Sequence, residues 1–237
     1  IHNRQGENTQ LVLSGYYSFE ANSANLGGGA IFNHALVSEA DENSFTEFKG
    51  NSSDKGFGGA LMNVGGIYAF DGKNQENVIS SFKGTVVFDG NTAKKSGGAV
   101  ANLAQPTVLV TATGKPIPTY YANTKVEFSG NVVFTNNVSQ SQGGAVYNKV
   151  GEVTFRGINN SFIGNEALIA GALTNHQVKH EAVLVYMEVS GNALFENNKA
   201  HNAAGAVYNN ANMVFGQGNH IFRGNSVEAG NGGAIYN

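Results

Sequence analysis

Two short motifs alternate along the whole chain, and this recurrence constrains the fold more than any other feature of the sequence. Phe-x-x-Asn is followed by two small residues, Ala, an aliphatic residue, any residue and Asn, with 10 to 12 positions from Phe to Ala. Such a near-constant unit with variable joints is typical of stacked structural repeats. The first motif occurs at Phe19/Asn22, Phe48/Asn51, Phe88/Asn91, Phe134/Asn137, Phe162/Asn165, Phe195/Asn198 and Phe222/Asn225. The second motif closes at Asn33, Asn63, Asn102, Asn148, Asn175, Asn209 and Asn237.

Composition supports a chain with many corners and little surface charge. Gly and Asn, the residues that best accept a left-handed backbone, each occur 32 times in 237 residues. Charged residues make up 13%, about half the share in an ordinary soluble domain. A net charge of −3 gives no electrostatic reason to expect nucleic acid as a partner. The absence of Cys excludes disulfides, Cys nucleophiles and thiolate metal sites.

The unit from 151 to 175 shows how the repeat folds. Val153-Thr154-Phe155, Ser161-Phe162-Ile163 and Ala172-Leu173-Thr174-Asn175 are short strand patterns separated by turn signals, and no helical period competes with them. Three strands and three corners in so few residues indicate one rung of a parallel β-helix. We therefore expect an all-β solenoid of about seven rungs, forming a single body over residues 1–237.

Each column of the repeat has an expected place. The Phe column should stack inside the rod, the Gly or Asn before the closing Asn should be left-handed, and the Asn amides should form a ladder. The Phe and Asn of Phe-x-x-Asn are therefore expected to be core and corner residues, whose loss would unfold the rod, and not contact residues. Alternation places the aliphatic column inward and the next column outward, namely Phe32, Met62, Ala101, Tyr147, Thr174, Tyr208 and Tyr236. An upstream apolar-x-Gly pattern marks a further strand in most copies, but the second repeat lacks a clear equivalent.

Three insertions, at about 64–81, 103–125 and 176–187, leave from the same corner and should protrude from one side. The second contains all three prolines and two adjacent tyrosines, which suits a projecting contact loop. We predict binding residues at Lys115, Ile117, Tyr120 and Tyr121, and in the outward stripe at Tyr147 and Tyr208. The alternative is structural: the loops pack on the rod wall, and the stripe lies beneath them.

The sequence predicts no catalytic, cofactor-binding or metal-binding residues. His176 and His180 have a spacing that aligns ligands on a helix, but not in a loop of a β rod. β-Helical lyases and glycosidases need clustered carboxylates on one face, whereas the acidic residues here are scattered, with Asp41-Glu42 the adjacent pair.

The paired motifs resemble the repeats of the polymorphic membrane proteins of Chlamydia and of similar autotransporter adhesins, which carry Gly-Gly-Ala-[Ile/Leu/Val] and Phe-x-x-Asn. The match departs at Ala170 and Ala204, where Gly-Gly-Ala becomes Ala-Gly-Ala. The resemblance implies a right-handed β-helical passenger on the bacterial surface, or secreted after cleavage, and exported through a C-terminal outer-membrane barrel beyond this fragment. It implies adhesion to host cells.

Function is therefore expected to be attachment to a host cell-surface protein or glycan, without a cofactor, and with self-association through the rod ends as a further possibility. Two alternatives stay open. A carbohydrate-active β-helix enzyme would show an acidic cleft, and a passive stalk would display a binding region located elsewhere.

Overall fold

The chain winds through four parallel sheets in a fixed order, which confirms the predicted all-β parallel β-helix. The structure, a computed structural model, describes residues 1–3, 9–65, 77–104, 124–177 and 184–237. None of these residues forms a helix that is long and apolar enough to span a membrane. The right hand of the coil stays a prediction.

The strands, named in chain order, are grouped here by sheet. Sheet A contains β1 (His2–Asn3), β5 (Ile31–Asn33), β9 (Leu61–Gly65), β13 (Val100–Ala104), β17 (Val146–Asn148), β21 (Leu173–Asn175), β25 (Val207–Asn209) and β29 (Ile235–Tyr236). Sheet B contains β2 (Gln10–Leu13), β6 (Leu36–Glu39), β10 (Val78–Phe82), β14 (Thr124–Phe128), β18 (Gly151–Phe155), β22 (Val185–Val189) and β26 (Asn212–Phe215). Sheet C contains β3 (Tyr16–Glu20), β7 (Phe45–Lys49), β11 (Thr85–Asp89), β15 (Val132–Thr135), β19 (Asn159–Ile163), β23 (Asn192–Glu196) and β27 (His220–Arg223). Sheet D contains β4 (Ser23–Ala24), β8 (Ser52–Ser53), β12 (Thr92–Ala93), β16 (Val138–Ser139), β20 (Glu166–Ile169), β24 (Lys199–Ala203) and β28 (Ser226–Val227).

The prediction of three strands per rung is wrong, because sheet D supplies a fourth. Its strands follow the Asn of Phe-x-x-Asn directly, and most of them have two residues. A two-residue strand is too short to show alternation, so pattern reading takes it for part of a corner. In the described residues sheet A has eight strands and the other sheets seven each, since β1 begins a partial rung.

The phenylalanines of Phe-x-x-Asn form one continuous stack inside the rod. Successive ring centroids lie 4.6–5.3 Å apart, and the ring planes are within 10° of parallel. The stack follows from the register of sheet C, which pairs each Phe with the next. Phenylalanines of sheet B, such as Phe128 and Phe155, meet it edge-on. This aromatic column is the centre of the core.

The asparagines of Phe-x-x-Asn form a hydrogen-bonded ladder at the corner between sheets C and D. Each Nδ2 donates to the Oδ1 of the next Asn along the rod at 2.9–3.0 Å. The same Oδ1 accepts the backbone N–H of the preceding Asn. From Asn51 to Asn225, Nδ2 also donates to a Phe carbonyl of the previous rung. These asparagines therefore satisfy the backbone of the corner as well as each other.

Asn22 and Asn198 show that the burial of a ladder Asn depends on whether its rung lies at the end or in the middle of the rod. Asn198 is fully buried, and its Nδ2 donates to Asn225 Oδ1 at 2.9 Å and to the Phe162 carbonyl oxygen at 2.8 Å. Asn22 Nδ2 donates to Asn51 Oδ1 at 2.9 Å, as expected for the ladder, but its side chain is exposed. The reason is that β3 is the edge strand of sheet C in the described residues, and no previous Phe of that sheet covers Asn22.

The residue before each ladder Asn has a left-handed backbone in all seven rungs, with φ from 52° to 65°. The first rung achieves this with Ala21, so the conformation is imposed by the corner and not by the residue type alone. A left-handed Ala costs about 1–2 kcal/mol relative to its preferred backbone, which the surrounding ladder must offset.

The two small residues of the second motif have different reasons to be small. The first has φ from 56° to 76°, and Ala170 and Ala204 show that the corner accommodates a Cβ there. The second has a neighbouring rung directly above it: a Cβ built on Gly98 would lie 2.0 Å from the carbonyl oxygen of Gly144. In every rung but the last, where Gly233 has open space, that position is closed to any side chain unless the rungs move apart.

The second repeat does have a strand in sheet B, β6, and Glu39 occupies the place of the apolar residue in the apolar-x-Gly pattern. Leu13 pairs in register with Glu39, which therefore occupies a core position that is apolar in the other rungs. Its side chain is fully buried, with Oε1 accepting from the Thr46 hydroxyl at 2.6 Å and Oε2 from the Gly84 amide at 2.7 Å. The apolar-x-Gly search missed this strand because the inward residue is a carboxylate.

Candidate functional site

The outer face of sheet A is the wall on which the predicted aromatic stripe lies. Its aliphatic column is completely buried in the rod from Ile31 to Val207, so alternation turns the next residue of each strand away from the core. Parallel register then aligns those outward residues into one column: His2, Phe32, Met62, Ala101, Tyr147, Thr174, Tyr208 and Tyr236.

The middle of this column is buried although it points away from the rod. Met62, Ala101 and Tyr147 join Val64 and Leu103 in a second apolar cluster, against which Phe32 and Phe57 pack in part. Val64 and Leu103 extend β9 and β13 beyond the length of most strands in this sheet. The long insertions follow these two strands, so the second cluster coincides with the rungs that carry them.

Tyr147, one of the predicted binding residues, offers little surface to a partner. Its side chain is 6% exposed, and burial raises the pKa of its hydroxyl to about 12. It stacks with Phe57 at 6.3 Å and with His176 at 6.5 Å. Burial lowers the pKa of His176, and the charge of Lys149 lowers it further. Tyr147 therefore serves the packing of this wall.

Tyr208, the other predicted residue of the stripe, is half-buried and stacks on Tyr236 at 5.5 Å with parallel planes. Tyr236 is 40% exposed, so this pair presents an aromatic edge to solvent. The predicted stripe is thus divided into a covered middle and an accessible C-terminal end.

The N-terminal end of the stripe gathers three rings. Phe32 lies 5.1 Å from His2 and 4.7 Å from His34, both edge-on. His34 Nδ1 lies 3.0 Å from the carbonyl oxygen of Val64, which ties this group to the second cluster. Nearby, the Lys95 ammonium lies 5.0 Å from the Phe57 ring centroid, a cation–π contact at the edge of the cluster.

The Phe and Asn residues of Phe-x-x-Asn offer a partner little surface, with one exception. Asn22 is exposed at the first rung, and Phe19, Phe222 and Asn225 of the two end rungs are half-buried. Asn198 is typical of the remaining ten, which are all buried. A contact through this motif would therefore be restricted to the ends of the described rod.

Lys115, Ile117, Tyr120 and Tyr121 lie outside the described residues, so their prediction as contact residues stays a prediction. The structure describes the strands that flank the insertions. Residues 66–76, 105–123 and 178–183 each fall between a strand of sheet A and the next strand of sheet B.

Sequence reasoning missed two clusters of charged residues on the outer walls. On sheet B, Arg156 bridges Glu127 at 3.2 Å and Glu188 at 2.9 Å, with Glu152 at 3.9 Å. On sheet D, His201 lies between Glu166 at 2.9 Å and Glu228 at 2.7 Å, and Lys199 approaches Glu228 at 2.6 Å. Register brings these residues together from rungs about 30 positions apart in sequence, so composition alone gave no signal for them.

The carboxylates of both clusters are bonded to basic side chains, and the clusters do not resemble the acidic pair of a glycosidase. Hydrogen bonds from Arg156 and Ser190 lower the pKa of Glu188, and those from Lys199 and His201 lower the pKa of Glu228 to about 2. A general acid for glycoside cleavage needs the opposite, a raised carboxyl pKa. Over the described ranges, no group of three or more His, Asp or Glu side chains could hold a metal ion.

Comparison with known proteins identifies the repeat. The family model for the Chlamydia polymorphic membrane protein repeat matches residues 85–103, 131–149 and 221–237. Each match begins within one residue of the start of a sheet C strand and ends at or just after the Asn of the second motif, so it covers one Phe-x-x-Asn and one Gly-Gly-Ala segment. The other four copies occupy equivalent places in the rod. No curated protein and no solved structure gives a significant match.

Proposed function

We propose that this chain, a member of the Chlamydia polymorphic membrane protein family by its repeats, is a β-helical passenger segment that attaches to a host cell-surface protein or glycan. The family implies an outer-membrane, autotransporter-type protein located at the bacterial surface. Attachment to a host cell goes beyond what the family implies. It is supported by the surface location that the family implies and by the rod, whose outer wall repeats from rung to rung.

The observation that carries the proposal is that the repeated residues and the outward residues of each rung have different roles. The Phe and Asn residues by which the family is identified are buried in the core and the corners across the middle rungs. A partner therefore meets the outward residues, which differ from rung to rung, and the insertions. Variation on a constant scaffold is how solenoid proteins obtain binding surfaces.

The alternative of a carbohydrate-active enzyme lacks support from the charged clusters, whose carboxylates are held by Arg156, Lys199 and His201. The alternative of a passive stalk predicts that no surface of the rod matters for attachment. Self-association through the rod ends stays a separate prediction, which size-exclusion chromatography over a range of concentrations would test.

Binding of the purified chain to cultured epithelial cells tests the proposal. Residues 105–123 are replaced by a short Gly-Ser turn between Ala104 and Thr124, and the matched control replaces residues 66–76 in the same way. Loss of binding in the first variant alone, with an unchanged circular dichroism spectrum, would place attachment on the longer insertion. A Tyr208→Ser/Tyr236→Ser variant tests the exposed aromatic pair. Absence of binding by the unmodified chain would favour the stalk.

A further inference from the structure

A polar groove crosses the corner between sheets B and C, on a side of the rod away from the aromatic stripe. It has a volume of about 510 Å³, within the range of small-ligand sites. Its lining includes Glu42, Lys83, Thr85, Ser129, Asn131 and Ile158. We propose that this groove binds a neutral saccharide unit of a host glycan.

Differences in corner length between neighbouring rungs create the groove. The chain takes nine positions from Glu39 to Phe48, but six from Phe82 to Phe88 and from Phe128 to Phe134. The three extra residues of the second rung, 41–43, are all exposed and form a raised wall that includes Glu42. One extra residue in the fifth rung, Ile158, is 75% exposed and forms the opposite wall. The two short corners between them are the floor.

The wall and the floor are held in place before any ligand arrives. Asp41 Oδ1 accepts the backbone N–H of Asn43 at 2.9 Å, an Asx turn that shapes the wall. Lys83 Nζ donates to the carbonyl oxygen of Ala40 at 3.3 Å. Beneath the floor, the buried Glu39 carboxyl accepts the Gly84 amide, which fixes the corner of the third rung. This bond gives the unusual core carboxylate a role in positioning the groove.

The floor stays open because it cannot carry side chains at its closest points. A Cβ on Gly84 would lie 1.8 Å from the carbonyl oxygen of Ser44, and one on Gly130 would lie 1.8 Å from that of Gly84. The corner glycines therefore keep the rungs in direct backbone contact. Side chains enter the groove from its edges, at Thr85, Ser129 and Asn131.

The chemistry of the lining suits a sugar ring. Glu42 supplies acceptors and Lys83 supplies donors for hydroxyl groups, while Thr85 and Ser129 can act as either. Asn131 Oδ1 already accepts the backbone N–H of Asn159 at 2.9 Å, which leaves its amide N–H groups as donors. Ile158 offers an apolar surface for the C–H face of a ring. One carboxylate and one ammonium balance in charge, so the groove favours a neutral ligand over an anionic one.

This inference rests on the proposed attachment function for the source of the sugar, but the groove chemistry can be tested without cells. The ¹⁵N-labelled chain is titrated with galactose, mannose and N-acetylglucosamine at millimolar concentrations, and with N-acetylneuraminic acid as an anionic probe. We expect saturable shifts of the Gly84, Thr85, Gly130 and Asn131 amides with at least one neutral sugar. No saturable shift with any neutral sugar, or tighter binding of the anionic probe, would overturn the proposal.

Two variants and a matched control locate the site. Glu42→Ala and Ile158→Asn each alter an exposed wall residue and should weaken binding about tenfold, the loss expected for one good contact. Leu26→Asn changes a residue of similar exposure, 71%, outside the groove, and should leave the affinity unchanged. Shifts that persist equally in all three variants would contradict the assignment of the groove.

Cell attachment by the same variants separates this inference from the proposed function. If sugar binding is lost in Glu42→Ala while attachment persists, the groove is a saccharide site and attachment uses another surface. If the unmodified chain attaches to cells but shows no sugar shifts, attachment stands and the saccharide groove is refuted, with a protein receptor as the remaining partner class.

Discussion

Two corners of the rod each contain an asparagine ladder, yet one has a constant length and the other accepts insertions. At the C–D corner, the sheet D strand begins directly after the ladder Asn in every rung. At the A–B corner, the returning strand begins anywhere from Leu36, three positions after Asn33, to Thr124, more than twenty after Asn102. The difference lies in what each ladder bonds.

The A–B ladder bonds the strand that returns, whatever lies between. Its Nδ2 atoms link successive asparagines from Asn3 to Asn237 at 2.7–3.0 Å. They also donate to carbonyl groups near the starts of sheet B strands: Asn63 Nδ2 reaches Val78 O at 3.3 Å, across the segment 66–76. In the C–D ladder, Nδ2 donates to Phe carbonyl groups of sheet C, and Oδ1 also accepts the backbone N–H of the adjacent ladder Asn, so the corner itself is part of the ladder.

The largest expected effect comes from inserting residues at the two corners of one rung. Gly-Ser-Gly between Asn137 and Val138 breaks the register of the C–D ladder and should lower the free energy of unfolding by about 5 kcal/mol or more. The same insert between Lys149 and Val150, which leaves the Val150 carbonyl bonded by Asn102 and Thr124, should cost about 1 kcal/mol, the loop-closure term. Urea denaturation of both variants measures the difference, and equal losses would contradict it.

The next test removes a phenylalanine ring from sheet C, whose strands lead into the C–D corner of constant length. Phe162 is fully buried between Phe134 at 5.3 Å and Phe195 at 4.6 Å. Phe162→Ala should lower the free energy of unfolding by about 3–5 kcal/mol, as for other buried phenylalanines. Thermal unfolding followed by circular dichroism is the measurement. An unchanged melting temperature would refute the role of the stack.

The corner between sheets D and A predicts a difference between two adjacent glycines. Gly97→Ala should cost about 1–2 kcal/mol: its Cβ would lie 2.3 Å from the Val100 carbonyl oxygen in a left-handed backbone, but Ala170 and Ala204 show that the corner adjusts to a Cβ at this position. Gly98→Ala should cost about 3 kcal/mol, because its Cβ meets the backbone of the next rung at 2.0 Å. A reversed order in urea denaturation would show that backbone strain, and not rung spacing, limits this corner.

The two ladders themselves should differ by a smaller amount. Asn137→Ala leaves the Asn91 backbone N–H and amide, the Asn165 Oδ1 and the Phe88 carbonyl without this partner, and should cost roughly 3 kcal/mol. Asn148→Ala leaves no backbone N–H of the preceding Asn unpaired and should cost roughly 2 kcal/mol. Equal costs would mean that the backbone bond at the C–D corner contributes little.

The smallest effect is a pH dependence on the outer wall of sheet D, next to the constant corner. The Glu228 contact raises the pKa of His201, so its stabilisation is present below about pH 6.5 and is lost as the pH rises through the raised value. The pKa of Glu228 is lowered to about 2, so its stabilisation is present above about pH 4.5 and is lost in stronger acid. The melting-temperature difference between the protein and His201→Gln should be largest at about pH 5–6. A difference that does not change with pH would contradict this.

Several elements could be predicted because the repeat carries them directly. The inward stack of phenylalanines follows from residue type and spacing, and the left-handed corner follows from the Gly or Asn that precedes the ladder Asn in six rungs; in the first rung the corner imposes it on Ala21. The sheet D strands and Glu39 could not be predicted, because a two-residue strand has no period and a core carboxylate breaks the apolar pattern.

Exposure of individual residues could not be predicted, because it depends on what covers each position. Asn22 and Asn198 occupy the same place in the motif, yet Asn22 is exposed at an edge strand and Asn198 is buried between rungs. Tyr147 and Tyr208 are likewise equivalent in the repeat, but the second apolar cluster covers Tyr147 and leaves Tyr208 half-buried. The place of a residue in the repeat therefore predicts whether its side chain points into or out of the rod, but not how much of that side chain is exposed to solvent.

The repeated motif by itself determined that the chain is a parallel β-helix with about seven rungs, because a fixed period leaves each column in register with itself. Tertiary structure decided the contacts between side chains of different rungs that do not belong to the repeated motifs. The Arg156 and His201 clusters, the burial of Tyr147 and the groove between Glu42 and Ile158 each join residues tens of positions apart. The period of the repeat determines which residues align. The shape of the surface depends on the lengths of neighbouring corners, because a groove forms only where a short corner is stacked between longer ones.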